Sequence, residues 1–383
     1  MIMSKEIKEK WLPKFQIRYA RRDRQGKSRM LDELCEDYDY ERKYAIKLLR
    51  GSLPVASGRR HPGPERQYEL IEPIVRQMWL AAEQPCGKRL VPILEQWLPY
   101  FERRYGKVNS KPRKLLLQVS AATLDRLLEP ARAQYPGRGR CGTKPGSLLK
   151  TEIPIRTGPW NLSKPGYLEA DSVAHCGTSL AGDFIWSLTY TDIFSGWTEG
   201  RAVWNKGAAG VLAATADVEE ALPFLLLGFD CDNGSEFLNH HLWGYMTKRR
   251  SPVEFTRSRP HHKDDNAYVE QKNWMWPRQL LGYSRLEDCE AVARICTVYK
   301  EVWGPLQNFF LPCLKLKHKW REGSHWRKRY EEPRTAYTRL CVEGVLSRKQ
   351  RGELRDQYKS LDPFELKDQL ERQLKQILRP KPV

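Results

Sequence analysis

The chain has 383 residues, 66 lysines and arginines against 47 aspartates and glutamates, and a formal net charge of +19. That length serves two or three domains, each with its own core, and the excess positive charge disfavours cationic partners and favours a polyanion, nucleic acid first. A run of about eighteen apolar residues, an apolar leader and a lipidation motif are all missing, and nine dispersed cysteines without a CxxC pair argue against a disulfide or zinc framework, which reads as a reduced cytoplasmic protein that does not enter a membrane.

From Lys5 to about Arg132 apolar residues recur at helical spacing with basic residues between them. In the first part, residues 1–60, Ser28 is expected to cap a helix carrying Met30, Leu31 and Leu34. Asp37, Tyr38 and Asp39 form a turn, and a second helix buries Ala45, Ile46 and Leu49. This is a helix-turn-helix pattern whose outward Arg42, Lys43, Lys47 and Arg50 can meet DNA as a recognition helix does, or form the solvated face of a plain helical hairpin. A second helical set, residues 61–132, runs over 68–79, 88–105 and 120–128, with prolines at 92 and 99 and Ser120 as a cap. Its last helix places Arg126 away from Leu124, Leu127 and Leu128, which suits a second DNA-binding unit. Residues 133–165, rich in Gly, Pro, Arg and Lys, read as a basic linker.

Across 166–290 the period changes to that of strands. Residues 167–173, 183–192 and 197–204 read as three consecutive strands, 208–221 as a helix, 224–229 as a buried central strand, 239–249 as a helix, 253–257 as a fifth strand, and Asn266 onward as a further helix. The expected core is therefore α/β, a mixed five-stranded sheet flanked by helices. Residues 291–383 read as helical and charged, with Leu366, Leu370, Leu374 and Ile377 in one stripe, an ordinary packing face before an oligomerisation seam.

Asp171 stands near the end of the first strand and Asp232 directly after the buried one, while Glu270 follows in the helix expected from Asn266. Strands laid side by side bring the two aspartates together, and the helix swings Glu270 against them. Three clustered carboxylates repel one another and need a compensating cation, and hard oxygen ligands select Mg²⁺ or Mn²⁺. Two such ions suit in-line displacement at a phosphodiester. Asn233-Gly234 reads as a tight turn that leaves Asp232 facing the metal.

The segments Asp-Asn-Gly-Ser-Glu-Phe at Asp232, Pro-Gly-Tyr-Leu-Glu-Ala-Asp ending at Asp171, and Asp-Asn-Ala-Tyr-Val-Glu ending at Glu270 resemble the catalytic signature of retroviral integrases and bacterial insertion-sequence transposases. This is the DDE group, with a ribonuclease H-like core. The likeness spans roughly residues 166–283, with weaker likeness in the N-terminal helix-turn-helix and in Pro-Arg-Thr-Ala-Tyr-Thr-Arg-Leu near residue 335. It implies a two-metal site ligated by Asp171, Asp232 and Glu270 and shaped by Asn233, Gly234 and Asn266. Such a site nicks transposon ends and joins their 3′ hydroxyls to target double-stranded DNA. A homo-oligomer on DNA, in a bacterial cytoplasm at the nucleoid, follows from the same resemblance. A regulator that kept the fold without activity, and a nuclease that only hydrolyses, are the alternatives.

The chain departs from the retroviral pattern in having only His61 before residue 142, hence no N-terminal zinc module, Ala267 where glycine is frequent, and Pro277 interrupting the last helix. Lys272 is expected either to approach a phosphate or to be a solvated helix lysine. His175 reads as a core or surface histidine, with a place beside the metal as the alternative, and the pairs His240-His241 and His261-His262 lack zinc spacing. Trp274 and Trp276 read as packing residues, with stacking on unpaired bases as the alternative.

Overall fold

The computed structural model describes residues 5–51, 67–134, 163–232, 234, 236–258, 269, 272–322, 325–342 and 344–378. Nearly all of the expected basic linker, together with Asn233, His261-His262, Asn266 and Glu270, lies outside the described residues. The chain divides into two compact units, Met1–Gln67 and Tyr68–Val383.

The first unit holds α1 (Lys5–Ala20), α2 (Arg24–Tyr38) and α3 (Arg42–Leu49). Tyr19, Met30, Leu31, Leu34, Ala45 and Leu49 form its core, and Ile46 is only partly covered. The turn between α2 and α3 passes through Asp39 at φ 53°, a left-handed conformation that Asp tolerates better than most residues. Helix α2 starts a turn before the expected cap, because Asp23 supplies a carboxylate that accepts from the Gly26 amide at 2.9 Å. Ser28 lies inside α2, where its hydroxyl accepts from Arg42 at 2.7 Å.

In the second unit, a 3₁₀ turn (Gln67–Ile71) leads to α4 (Glu72–Ala81), α5 (Gly87–Tyr105), α6 (Ser110–Gln118), α7 (Ala121–Leu127) and α8 (Glu129–Ala133). Pro92 and Pro99 are both accommodated within α5, and Ser120 caps α7 by accepting from the Thr123 amide at 3.2 Å. These helices share one core with the rest of the unit. Trp97 packs edge-on against Phe310 and Phe364, at ring separations of 6.4 and 5.3 Å, and donates to the Phe310 carbonyl. Gln96 and Arg89 donate to the carbonyls of Phe309 and Pro312 at 2.9 and 2.6 Å.

The central sheet contains β1 (Tyr167–Ala174), β2 (Ile185–Asp192), β3 (Thr198–Trp204), β4 (Gly228–Cys231) and β5 (Glu254–Arg257) in the order β3-β2-β1-β4-β5. The first three pair antiparallel as a meander, while β4 and β5 run parallel to β1. That order and those directions are the ribonuclease H-like arrangement. Residues 224–227, expected as strand, are not part of it. The β1/β4 ladder begins where Tyr167 meets Gly228, with the Leu227 amide bonded to the Gly166 carbonyl at 2.8 Å just before it, and Leu225 is left 79% exposed.

Helices cover both faces of the meander. The helix α9 (Ala208–Ala221) takes one, where Thr215 bonds Tyr190 at 2.9 Å. On the other, α12 (Ala291–Thr297) continues as π-helical turns over Val298–Trp303 and Leu306–Phe310, and Tyr299 bonds Ser187 at 2.8 Å. Before it come α10 (His240–Thr247) and the π-helical turn Trp274–Arg278, which runs into α11 (Gln279–Leu281). Pro277 sits within that π turn, where its missing amide disturbs the regular helical ladder. Trp276 is buried against Tyr299 and Trp303 over Gly200, where a Cβ would approach the indole to 2.8 Å, so that ring is a packing element.

The C-terminal part is mainly helical, with α13 (Ala336–Leu340), α14 (Arg348–Ser360) and α15 (Pro363–Ile377). Leu366, Leu370 and Ile377 of α15 are buried in the unit's own core. Beside these helices, the expected mainly helical region also holds an antiparallel hairpin, β6 (Leu316–Glu322) with β7 (His325–Tyr330).

Candidate active site

The register of the sheet brings two of the expected carboxylates together. Ala170 pairs with Cys231 at the end of the parallel β1/β4 ladder, so Asp171 and Asp232 are the next residues on neighbouring strands. Adjacent strands lie ~4.8 Å apart, which makes these side chains neighbours despite their separation in sequence. Their combined field is felt by the Cys231 thiol, which burial pushes well up and which Asp232, Asp230, Glu236 and Asp171 push further. A concentration of negative charge of this kind is complementary to a cation.

Each carboxylate is oriented by a local donor. Asp232 Oδ1 accepts from the Gly234 amide at 2.9 Å, the turn expected of an aspartate two residues upstream. A Cβ at Gly234 would lie 2.8 Å from Asp232 Oδ1 and 2.7 Å from Glu236 Oε1, so any side chain there would displace these carboxylates. Asp171 Oδ2 accepts from Asn273 Nδ2 at 2.5 Å and its Oδ1 from the Ser172 amide at 2.7 Å. Buried Glu236 accepts from the Ser172 hydroxyl at 2.5 Å and from Lys206 Nζ at 3.2 Å. Two residues before Asp171, and so on the same face of β1, buried Glu169 accepts from the Val269 amide at 3.2 Å. Residues 269 and 273, on either side of position 270, are therefore both fastened to that one face. Among the described residues no three carboxylate, histidine or cysteine side chains form a metal-holding group, and Glu270 lies outside them.

Glu169, Ser172, Lys206, Glu236 and Asn273 surround the candidate carboxylates and were missed by sequence reasoning. Glu169 was accessible through the two-residue period of a strand. Asn273 and Lys206 carry no local signal, since their roles depend on which strand they meet.

No protein-family model matches the sequence. Over 324 residues the chain is 40% identical to the Uncharacterized protein y4rM of Sinorhizobium fredii (strain NBRC 101917 / NGR234), covering 82% of this chain and 90% of that protein. The chain belongs to the y4rM family. Among solved structures, this y4rM-family chain is similar to the catalytic core domain of BIV integrase in crystal form I, with 15% identity and a TM-score of 0.25 over 36% of this chain and 84% of that one. It is also similar to a chain in the simian T-cell lymphotropic virus intasome in complex with PP2A regulatory subunit B56 gamma, with 12% identity and a TM-score of 0.28 over 52% and 67%. Overlaps of that size carry no weight, and the assignment of the y4rM-family core to the ribonuclease H-like fold rests on its strand order and directions.

Lys272 of this y4rM-family chain corrects its expectation. It is not a solvated helix lysine, being 8% exposed. Burial lowers its proton affinity, Cys313 opposes this, and Arg89 and Arg339 add to it. Lys272 is thus a buried cation beside Cys313, Arg89 and Arg339. Arg42, Lys43, Lys47, Arg50 and Arg126 are all exposed, as expected of surface cations. Arg42 is engaged with Asp32 and Ser28, and Arg126 with the Ala122 carbonyl and Thr123.

His175 is a core residue. Its Nε2 shares a hydrogen with Ser187 Oγ at 2.8 Å, and Ser187 is in turn bonded to Tyr299. Burial, aided by Arg278, lowers its pKa from 6.5 to about 3. The unfolded chain binds a proton here below 6.5 and the folded chain does not until about 3. Stability is therefore complete above the unfolded value and declines as pH falls through this window, by about 1.4 kcal/mol per pH unit for this group. His175→Gln is expected to flatten the acid limb of urea midpoints measured across that window, and an unaltered limb refutes the assignment.

Proposed function

We propose that this y4rM-family protein is a divalent-metal-dependent polynucleotidyl transferase, a DDE transposase that cleaves DNA at transposon ends and joins 3′ hydroxyls to target DNA. The observation carrying this reading is the adjacency of Asp171 and Asp232 at the ends of β1 and β4, beside a segment fastened to β1 on both sides of position 270. The donor set suits a hard cation, since it is made of carboxylates with amide donors to orient them and with Lys206 bound on the far side of Glu236. Asp171, Asp232 and Glu270 would hold Mg²⁺ or Mn²⁺. The bound ions would supply charge neutralisation at the attacking and leaving oxygens of a phosphodiester.

The chain's own groups hold this site in position. Asn273 and the Ser172 amide fix the two oxygens of Asp171, and the Gly234 amide fixes one oxygen of Asp232. Gly234 keeps the space between Asp232 and Glu236 clear. Asn233 and Asn266 belong to the same proposal as residues that shape the site. The exposed cations of α3 and Arg126 of α7 are proposed to bear on DNA phosphates. Joining two DNA ends calls for more than one copy of the chain on DNA, in a bacterial cytoplasm. Among the described residues no helix is long and apolar enough to cross a membrane.

The test supplies the full chain and Mg²⁺ with pre-cut duplexes taken from DNA flanking its gene, together with a supercoiled target. Joined product is the expected result. Cleavage without joining reduces the reading to a hydrolytic nuclease, and neither product with any flanking duplex overturns it.

A further inference from the structure

We infer that the β6–β7 hairpin is a ribbon that binds double-stranded DNA, a contact site separate from the carboxylates that rests on the polynucleotidyl-transferase reading above. Residues 316–322 and 327–330 are exposed without exception, including Leu316 at 41%, Trp320 at 47% and Tyr330 at 46%. A two-stranded hairpin whose described side chains are all exposed gains little from folding in water. Something other than a core has to account for its composition.

That composition is cationic. The strands hold Lys317, Lys319, Arg321, Arg327, Lys328 and Arg329 against a single acid, Glu322, which is engaged with Arg327 at 2.7 Å. In the antiparallel register Lys319 stands directly opposite Lys328. Like charges directly across a strand pair repel each other, and this pair belongs to a dense row of cations along one ribbon. A polyanion laid along the ribbon removes that repulsion and gains from releasing its counterions.

Shape favours duplex DNA as the polyanion. The major groove of B-DNA, about 12 Å wide, admits a two-stranded β-ribbon. The basic surface also continues past the hairpin. Lys328, Arg329 and Tyr330 line an open cleft of about 540 Å³ with Lys88 of α5 and Ser120 at the start of α7. Glu331 closes the base of the hairpin, its amide donating to the Lys315 carbonyl at 2.8 Å, and Lys315 Nζ donates to the Phe194 carbonyl at 2.5 Å. The Lys315 bond to Phe194 ties the base of the ribbon to the body of the unit.

The experiment measures fluorescence anisotropy of a labelled duplex against the full chain in EDTA, over a series of salt concentrations. Lys328→Glu places an acid opposite Lys319, so it is expected to leave the melting temperature of the free protein unchanged or raise it. The same substitution should weaken duplex binding at low salt by about tenfold or more and lower the log–log salt slope by about one to two, since each phosphate contact contributes about 0.9. Lys328→Gln removes the charge alone, and a slope lower by about one is expected. Wild-type affinity and slope in both variants overturn the ribbon while leaving the transferase reading intact. Absence of duplex binding by the wild type overturns both, whereas preference for single-stranded RNA that is lost in Lys328→Glu reassigns the ribbon and overturns its duplex role. EDTA keeps the measurement independent of the carboxylate chemistry.

Discussion

Asp232→Asn is expected to reduce Mg²⁺-dependent DNA cleavage and joining by at least about 10³-fold while leaving the fold unchanged. The substitution exchanges one carboxylate oxygen for an amide nitrogen and removes a full negative charge from the pair formed with Asp171. The remaining amide oxygen can still accept from the Gly234 amide, as Asp232 Oδ1 does at 2.9 Å, so the turn after β4 keeps its hydrogen bond. The charge on that oxygen is what changes. Neutralisation of phosphodiester oxygens by a bound metal is worth several kcal/mol, and each 1.36 kcal/mol is a tenfold change in rate, which sets the size of the loss. A second readout separates the metal from the chemistry. Mg²⁺ that binds the folded state raises its melting temperature, and this rise should shrink in the variant. Equal cleavage and equal Mg²⁺ response in wild type and variant would falsify the assignment of Asp232 as a metal ligand.

Trp97→Ala is expected to cost about 3–5 kcal/mol of stability, the usual range for removing a buried tryptophan. Trp97 is fully buried. It touches Phe310 at the end of the π-helical segment and Phe364 at the start of α15, and its indole nitrogen donates to the Phe310 carbonyl. Truncation therefore opens a cavity where α5, the helix behind the sheet and the C-terminal helix meet. The whole of Tyr68–Val383 should respond, because these helices belong to one core. Chemical denaturation followed by circular dichroism should show the midpoint of that unit shifted, with one transition retained. Trp11→Ala, at a side chain 48% exposed in α1, serves as the comparison and should fall within about 0.5 kcal/mol of wild type. A cost below about 1 kcal/mol, or a separate transition for the helices from Glu72 to Ala133, contradicts the shared core.

Elements whose signal is local were legible in the chain before any contact was known. Helix α9 has the boundaries that the alanine-rich run implies, and the three meander strands begin and end within two residues of their expected limits. Their mixed sheet, the pairing of Ala45 and Leu49 inside the first unit, and the strand-end positions of Asp171 and Asp232 follow from periodicity, which acts over a few residues. Glu270, Asn233 and Asn266 were legible as motif residues alone.

What tertiary structure decided is whatever depends on the partner across the contact. The run 224–229 is apolar enough for a strand, yet only its last two residues enter one, where Gly228 meets Tyr167. Lys272 has the local appearance of a surface helix lysine and is buried near Arg89, Cys313 and Arg339, which lie far away in sequence. The helices from Glu72 to Ala133 look self-contained until Trp97 meets Phe310 and Phe364. The hairpin was hidden because neither of its strands alternates polar with apolar residues. Sequence by itself determined the local conformations and the chemical types available, since those follow from short-range sterics and side-chain chemistry. Burial, pairing register and the orientation of Asp171 by Asn273 were decided only by the folded chain, because desolvation and hydrogen-bond geometry arise between residues that meet across the core.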